Sequence, residues 1–276
     1  VIWPAPAKLN LMLRVVGRRA DGYHELQTVF QFIDRADALH FEVTGDGAVA
    51  REGGPGEVAP EDDLTVRAAR LLQRETGTAR GVRIRLEKRL PLGGGLGGGS
   101  SDAATTLAAL NRLWGLDLPP ERLAELGLQL GADVPVFLFG RAAWGEGVGE
   151  RLEAVELPEP WYLVLQPSCQ VSTRDVFQDP ELTRNSPRLT IRDFIAGQHG
   201  NDCLPVVAAR YPEVAWAVRW LGQFGEARLT GTGACVFAAF DTEQHARNAL
   251  GQLPPEMNGF VARGRNTSAL RVALDN

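Results

Sequence analysis

Apolar and polar positions change period several times along the chain, and each change marks an element. From Lys8 onward Leu9, Leu11 and Leu13 alternate with Lys8, Asn10 and Met12, which predicts a strand over Leu9 to Val16 with the two sets on opposite faces. Thr28 to Ile33 and Ala38 to Val43 read as two more strands, separated by a polar turn. After a Gly/Pro/acidic excursion from Gly45 to Asp63 the period lengthens. Leu64, Ala68, Leu71 and Leu72 fall on one face of a helix over Leu64 to Glu75. Val82 to Leu86 alternates apolar with charged residues, as a half-exposed strand does. Ala103, Leu107, Leu110 and Trp114 share one face of a helix that begins near Ser100, Ser101 and Asp102, three residue types that cap helices. A further helix, Pro120 to Leu130, stops before Gly131.

The run Leu157-Pro158-Glu159-Pro160 breaks the pattern and divides the chain into residues 1–157 and 158–276. Beyond it, strands are expected at Trp161 to Gln166, Val236 to Phe240, Gly259 to Ala262 and Ala269 to Leu274. Helices are expected at Asp202 to Arg210 and Val214 to Phe224. Strands and helices in this order make an α+β protein and not a chain of βαβ units.

Between the alternating strand and the capped helix lies Pro91-Leu92-Gly93-Gly94-Gly95-Leu96-Gly97-Gly98-Gly99-Ser100-Ser101. Each glycine destabilises the folded chain by roughly 0.5–1 kcal/mol relative to alanine, so a loop this rich in glycine needs an offsetting interaction. The unpaired N–H groups and positive dipole end of the following helix favour an anion, with a nucleotide's phosphates the best fit. A Walker A loop is excluded because no Lys precedes the helix. Gly93-x-Gly95-x-x-Gly98 formally matches a dinucleotide fingerprint, but the strand before it is half-exposed and not the buried parallel strand that motif requires. A flexible linker does not run straight into a capped amphipathic helix.

Composition narrows the partners. The 276 residues are 44% hydrophobic, enough for one large or two modest cores, and the net charge of −5 argues against a general grip on nucleic acid or an anionic membrane. Three cysteines, Cys169, Cys203 and Cys235, show no Cys-x-x-Cys spacing and fit a reducing, cytoplasmic setting. Prolines and Lys8 interrupt the apolar core that a signal peptide would need, and no stretch reaches the roughly 18 apolar residues of a membrane span.

Several residues could carry chemistry. Lys8 and Asn10 project together, as a solvated strand face or as a functional pair. Asp133 is the one ionisable group in Leu130 to Phe139. It is either a turn or cap aspartate before Val134-Pro135, or a carboxylate paired with a cation, for which Lys8 is the obvious candidate. Asp21-Gly22-Tyr23-His24-Glu25-Leu26 reads as a surface turn with an aromatic residue and a histidine. Leu229-Thr230-Gly231-Thr232-Gly233-Ala234-Cys235-Val236-Phe237 is a bulged hairpin or a second backbone wall against a ligand.

Taken together, Pro6-Ala7-Lys8-Leu9-Asn10-Leu11, Asp21 to Leu26, the glycine loop, Gly131-Ala132-Asp133-Val134-Pro135-Val136-Phe137 and Thr230 to Phe237 resemble the 4-diphosphocytidyl-2-C-methyl-D-erythritol kinase family of the GHMP kinase superfamily. The superfamily loop is shorter, Gly-Leu-Gly-Ser-Ser. The extra Gly98 and Gly99 are similar to this branch and unlike mevalonate or homoserine kinases. The resemblance implies an α+β, two-domain GHMP-kinase-like fold with a deep cleft between an N-terminal ATP-binding and catalytic domain and a C-terminal substrate-side domain. It implies phosphoryl transfer from ATP, with Mg²⁺, to the 2-hydroxyl of a cytidine diphosphate methylerythritol substrate, in the non-mevalonate route to isoprenoid precursors, by a monomer or weak homodimer. In that scheme Asp133 is the base and Lys8 holds its charge and orientation. Lys88, Pro91, Leu92, Gly93, Gly94, Gly95, Leu96, Gly97, Gly98, Gly99, Ser100 and Ser101 lie on the ATP side, with Ser100 or Ser101 near the metal. Asn10, Tyr23, His24, Thr173 and Phe177 lie on the substrate side. Where the family often has Asn-Leu beside the adenine, this chain has Asp62-Asp63-Leu64. Another GHMP small-molecule kinase, or a non-catalytic nucleotide-binding module on the same scaffold, are the rival readings.

Overall fold

The computed structural model describes residues 1–20, 22–53, 59 and 61–276. Asp21 and part of the Gly45 to Asp63 excursion lie outside them. The first half runs β1 (Trp3–Arg18), β2 (His24–Thr44), β3 (Val49–Gly53), α1 (Leu64–Thr76), β4 (Gly81–Glu87), α2 (Gly98–Trp114), α3 (Pro120–Leu130), α4 (Val134–Phe139), β5 (Ala143–Gly147) and β6 (Arg151–Ala154). The second runs β7 (Trp161–Gln166), α5 (Thr173–Gln178), α6 (Ile191–Ile195), β8 (Gly200–Asn201), α7 (Leu204–Arg210), α8 (Pro212–Leu221), β9 (Arg228–Leu229), β10 (Val236–Phe240), α9 (Glu243–Leu250), β11 (Asn258–Arg265) and α10 (Ala269–Asp275).

The strands of both halves join in the order β3-β4-β2-β11-β7-β10-β9, with β1 and β5 also paired to β2. β11 is the hinge of this arrangement, because it pairs along its length with β7 and, through Gly264 and Arg265, with Ile33 and Phe32 of β2. Three apolar clusters follow. One lies under α1, α2, α3 and α4 in the first half, one under α7 and α8 in the second. The third joins Leu9, Leu11 and Met12 of β1 to Tyr162, Val164 and Phe237 of the second half, and it also takes in Leu96 of the glycine loop.

Local chemistry explains the elements. The Asp63 carboxylate accepts the Thr65 N–H at 2.8 Å and so starts α1, while Gly77 ends it in the left-handed conformation. In β4 Val82, Ile84 and Leu86 are buried while Arg83 and Arg85 face out, as the alternation predicts.

Four expectations are corrected. Thr28 to Ile33 and Ala38 to Val43 belong to one strand, β2. Its polar stretch is a bulge, where the register to β1 jumps from Ala7↔Ile33 to Pro6↔Ala36, and Asp34 there accepts the Arg263 N–H at 2.7 Å. A second register shift between Asn10 and Met12 breaks the expected alternation, so Leu11 and Met12 are both buried. Ala269 to Leu274 is helical. Ser268 Oγ caps it by accepting the Arg271 N–H at 3.1 Å, and it buries Leu270 and partly buries Leu274, four residues on, leaving Val272 exposed. The excursion after β2 contains β3, parallel to β4.

Candidate active site in the cleft

The glycine loop is held by its own carbonyls. Gly93 O and Gly94 O accept the N–H groups of Ala234 and Cys235, Gly95 O accepts the Thr230 hydroxyl, and Leu96 O accepts the Lys8 N–H, all at 3.0–3.3 Å. With these oxygens bonded to the fold, what remains for a ligand is N–H groups. The first i→i−4 bond of α2 runs from Ser101 N–H to Gly97 O at 2.8 Å, so the amides of Gly98, Gly99 and Ser100 precede the helical ladder. Two glycines are sterically required. Gly95 (φ +74°) lies against the second half, where a Cβ would sit 2.1 Å from Thr230 O. At Gly97 (φ +73°) a Cβ would sit 2.7 Å from the Phe137 ring. Gly97, not a serine or aspartate side chain, occupies the N-cap of α2. The expected capping residues Ser101 and Asp102 are buried within the helix, because two glycines enter its first turn.

Facing the loop, Asp133 sits at the N-cap of α4, makes no side-chain cap bond, and remains one-third exposed. Its Oδ2 is 3.1 Å from Lys8 Nζ, and the lysine side chain is only 2% exposed. Burying that ammonium requires partners. It donates to Asn10 Oδ1 at 2.5 Å and lies 5.6 Å above the centroid of the Phe30 ring. Asn10 in turn donates Nδ2–H to Thr28 Oγ1 at 2.8 Å, and its main-chain N–H goes to Thr230 Oγ1 at 3.0 Å. Thr230 therefore ties the strand that carries Lys8 to the glycine loop, and the stretch from Thr230 to Gly233 is a second backbone wall.

These walls enclose a cavity of ≈ 430 Å³, within the range of small-ligand sites. Of the residues predicted for the site, Lys8, Asn10, Pro91, Leu92, Gly93, Gly94, Gly95, Gly97, Gly98, Gly99, Ser100, Asp133, Thr173 and Phe177 line it. The others do not. Leu96 is fully buried and anchors the loop in the shared core, and Ser101 is fully buried with its hydroxyl unpartnered. Lys88 lies behind the loop. Its ammonium pairs with Asp37 and, at 2.8 Å, with Asp102. Asp37 also accepts the N–H groups of Arg89 and Leu90 at 2.5 and 2.8 Å. Burial pulls the Lys88 ammonium down, but attraction to Asp102 and Asp37 outweighs it and leaves Lys88 above its usual range. Asp63 is occupied as well, capping α1 and pairing with Arg51 at 2.7 Å, while Leu64 lines the cavity.

On the opposite wall, Thr173 and Thr232 share a hydroxyl–hydroxyl hydrogen bond of 2.9 Å, and the rings of Phe177 and His24 stack with centroids 5.1 Å apart. Tyr23 is 64% exposed and does not line the cavity. Burial, then the charges of Arg184 and Arg18, hold the His24 imidazolium below its ordinary pKa. Arg184 donates Nε–H to His24 Nε2 at 3.1 Å. No sequence signal marks Arg184, and none marks Asn201, whose Nδ2 donates to Leu229 O and Gly231 O at 2.9 and 2.8 Å. Each is one polar residue among several in an irregular stretch, and only the fold shows what it touches.

Residues 63–141 match the GHMP kinases N terminal domain and residues 184–258 the GHMP kinases C terminal region. The chain is 62% identical over 262 residues to a 4-diphosphocytidyl-2-C-methyl-D-erythritol kinase of Thiobacillus denitrificans, covering 95% of this chain and 94% of that protein. Identity is 56% over 275 residues to the corresponding kinase of Nitrosococcus oceani, covering 100% and 98%. A crystal structure of a 4-(cytidine 5'-diphospho)-2C-methyl-D-erythritol kinase superposes with a TM-score of 0.83 at 35% identity, covering 96% of this chain and 99% of that one. A mevalonate kinase crystal structure shares the fold alone, with a TM-score of 0.70 at 16% identity over 96% of this chain and 99% of that one. With an N-terminal and a C-terminal GHMP region and this degree of identity over its full length, the chain is an ATP-dependent kinase that belongs to the 4-diphosphocytidyl-2-C-methyl-D-erythritol kinase family of the GHMP kinases.

Proposed function

We propose that this chain transfers the γ-phosphoryl group of ATP to the 2-hydroxyl of 4-diphosphocytidyl-2-C-methyl-D-erythritol, in the non-mevalonate route to isoprenoid precursors. The observation that carries the mechanism is the Lys8–Asp133 pair, 3.1 Å apart, which lines the same cavity as the glycine loop and lies directly beside it. Asp133 takes the proton of the 2-hydroxyl as its oxygen bonds to the γ-phosphorus. The bond from the γ-phosphorus to the β,γ-bridging oxygen breaks, and ADP leaves. Lys8 pairs with the carboxylate and orients it, and lies close enough to stabilise the forming alkoxide. The amides at the start of α2 hold the phosphates, so the two reactants meet in line without a covalent enzyme intermediate.

Mg²⁺ fits here as an ion carried mainly by the nucleotide. Among the described residues no cluster of three or more His, Cys, Asp or Glu could hold a metal, and Mg²⁺ commonly binds through one or two carboxylates plus substrate phosphates, keeping several waters. Ser100 and Asp133 are the oxygen-bearing side chains that line the cleft on the phosphate side, and the bound ion would neutralise charge on the β- and γ-phosphate oxygens. Asn10, Thr173 and Phe177 would hold the acceptor, while Tyr23 and His24 lie outside the cavity lining. On this reading the chain acts as a monomer or weak homodimer. Among the described residues no helix is long and apolar enough to cross a membrane, and three free thiols suit the cytoplasm.

A coupled ADP-release assay with the cytidylylated methylerythritol as acceptor tests the reading, with mevalonate, homoserine and galactose as competing acceptors. Turnover is expected with the first alone. Asp133→Asn should keep the fold and ATP binding while lowering kcat by roughly 10²–10⁴, the usual contribution of a general base. Near wild-type turnover in that variant removes Asp133 from the role of base, and no turnover by the folded wild-type chain with the cytidylylated acceptor overturns the function itself.

A further inference from the structure

Asn201 does not line the cavity, yet it holds one of the cavity's walls. Its segment is laid along β1. Gly200 and Asn201 pair with Met12 and Leu13, the Asp202 N–H donates to Leu13 O at 2.9 Å, and the Asp202 carboxylate accepts the Val15 N–H at 2.7 Å. From there the Asn201 side chain reaches the stretch that leaves β9. Nδ2 donates to Leu229 O at 2.9 Å and to Gly231 O at 2.8 Å, and Oδ1 accepts the Cys203 N–H at 2.9 Å. Only one orientation of the amide serves two carbonyls and one N–H, so its donor edge is fixed toward the wall.

The two gripped carbonyls belong to the residues on either side of Thr230. The Thr230 hydroxyl accepts the Asn10 N–H and donates to Gly95 O, each at 3.0 Å. Gly231, which lines the cavity, is wedged between the same two partners: a Cβ there would sit 3.4 Å from Asn10 Oδ1, the acceptor of the Lys8 ammonium, and 3.4 Å from Gly95 O. Asn201 therefore fixes a stretch of backbone that touches the Lys8 strand on one side and the glycine loop on the other. We propose that Asn201 is a positioning residue for phosphoryl transfer: by gripping the carbonyls on both sides of Thr230, it sets the separation between the Lys8–Asn10 strand and the glycine loop, and so the alignment of the acceptor oxygen on the γ-phosphorus. The step it serves is the reaction proposed above, and the inference rests on that reading to this extent. Misplacing reacting groups by about 1 Å costs roughly 10²-fold in rate, even when the change lies far from the chemistry. The amides at the start of α2 hang instead on buried Leu96 and on the bond from Lys8 N–H to Leu96 O. Loss of the Asn201 grip should thus appear in kcat and not in the affinity for ATP.

The test compares Asn201→Asp, Asn201→Leu and Asp202→Ala in the full chain. Aspartate keeps the shape and the bond from Cys203 N–H but turns an acceptor toward the two carbonyls, and leucine keeps the bulk without any of the bonds. Asp202→Ala loosens the same segment from β1 while leaving the grip on Leu229 and Gly231 in place. In both Asn201 variants kcat with the cytidylylated acceptor should fall by roughly tenfold or more, with KM for ATP and for the acceptor within about threefold of wild type. Hydrogen exchange at the Asn10 amide, which Thr230 protects, should quicken by roughly tenfold or more. Asp202→Ala should lower Tm but keep kcat and Asn10 exchange within about twofold of wild type. Should the leucine variant fail to fold, Asn201→Asp decides. An unchanged kcat or an unchanged Asn10 exchange in Asn201→Asp overturns the proposal. An equal loss of kcat in Asp202→Ala also overturns it, by making the effect one of general stability. Failure of the wild type to use the cytidylylated acceptor, with the Asn10 amide still freed by Asn201→Asp, overturns the reaction and leaves the hold of Asn201 on the cleft standing. Wild-type turnover with kcat and Asn10 exchange both untouched by Asn201→Asp does the reverse.

Discussion

The two walls of the cleft are held by different means. The glycine-loop wall is held mostly by main chain: of four consecutive loop carbonyls, three accept main-chain N–H groups of Ala234, Cys235 and Lys8 and one accepts the Thr230 hydroxyl, and buried Leu96 pins the loop to the core. The His24–Phe177 wall is side chain held by side chain, with one ring stack and one guanidinium bringing together residues that are about 150 positions apart in sequence. On the proposed reading, the wall made of backbone serves a ligand part common to many kinases, the triphosphate. A wall made of side chains can be retuned for one acceptor by a few substitutions.

The largest expected effect that separates the walls is at Gly95. Alanine there must adopt φ near +74° and place its Cβ 2.1 Å from Thr230 O, so the loop or its partner must move. The left-handed conformation together with the backbone displacement should cost about 3 kcal/mol. In thermal unfolding that corresponds to a fall in Tm of roughly 6–12 °C. KM for ATP should rise more than KM for the acceptor. A Gly95→Ala variant with wild-type Tm and KM for ATP would show that the close approach to Thr230 is not what holds this wall.

Phe177→Leu addresses the other wall and should be milder. Losing the ring that stacks on His24 and lines the cavity removes about 1 kcal/mol, which is roughly fivefold in KM for the cytidylylated acceptor. Tm and KM for ATP should hardly move. An equal rise in both KM values would erase the distinction between the walls.

The same contrast decides how much of the molecule is legible in its amino-acid sequence. The glycine loop, Lys8 and Asp133 are legible because each sits in a short contiguous motif whose chemistry is local: amides at a helix start, or a charge inside an apolar run. The helix from Pro120 to Leu130 and the strands Trp161 to Gln166 and Val236 to Phe240 are legible for a similar reason, since their periods are unbroken. Residues 269–274 are not, because Leu270, Val272 and Leu274 also alternate, and only burial of Leu270 with Leu274 against the first half selects the helix. Lys88 illustrates a different limit. Its place beside the loop is plain in sequence, but Asp37, its partner, lies 51 residues away and meets it only when β2 is laid beside the loop. Arg184 has no local signal at all.

That ion cluster behind the glycine loop supplies the most diagnostic difference between the walls. Burial pushes the Asp102 carboxyl up to about 7; the charges of Asp37 and Asp63 push the same way, and Lys88 pulls against them. The folded value thus lies above the unfolded one, near 3.8, so between about pH 4 and 7 the folded chain keeps a proton that the unfolded chain has released. The stabilisation from that proton is fully present below pH 4 and is lost as the pH rises through 7, with a slope of at most about 1.4 kcal/mol per pH unit. Asp102→Asn carries no titrating group and lacks this slope. Urea denaturation at pH 5, 6, 7 and 8 should therefore show the wild type losing stability relative to Asp102→Asn as the pH rises, with the difference levelling off above 7. Parallel curves for the two proteins would mean that Lys88 keeps Asp102 ionised throughout, and that the wall behind the phosphates is charged at every pH at which the enzyme works.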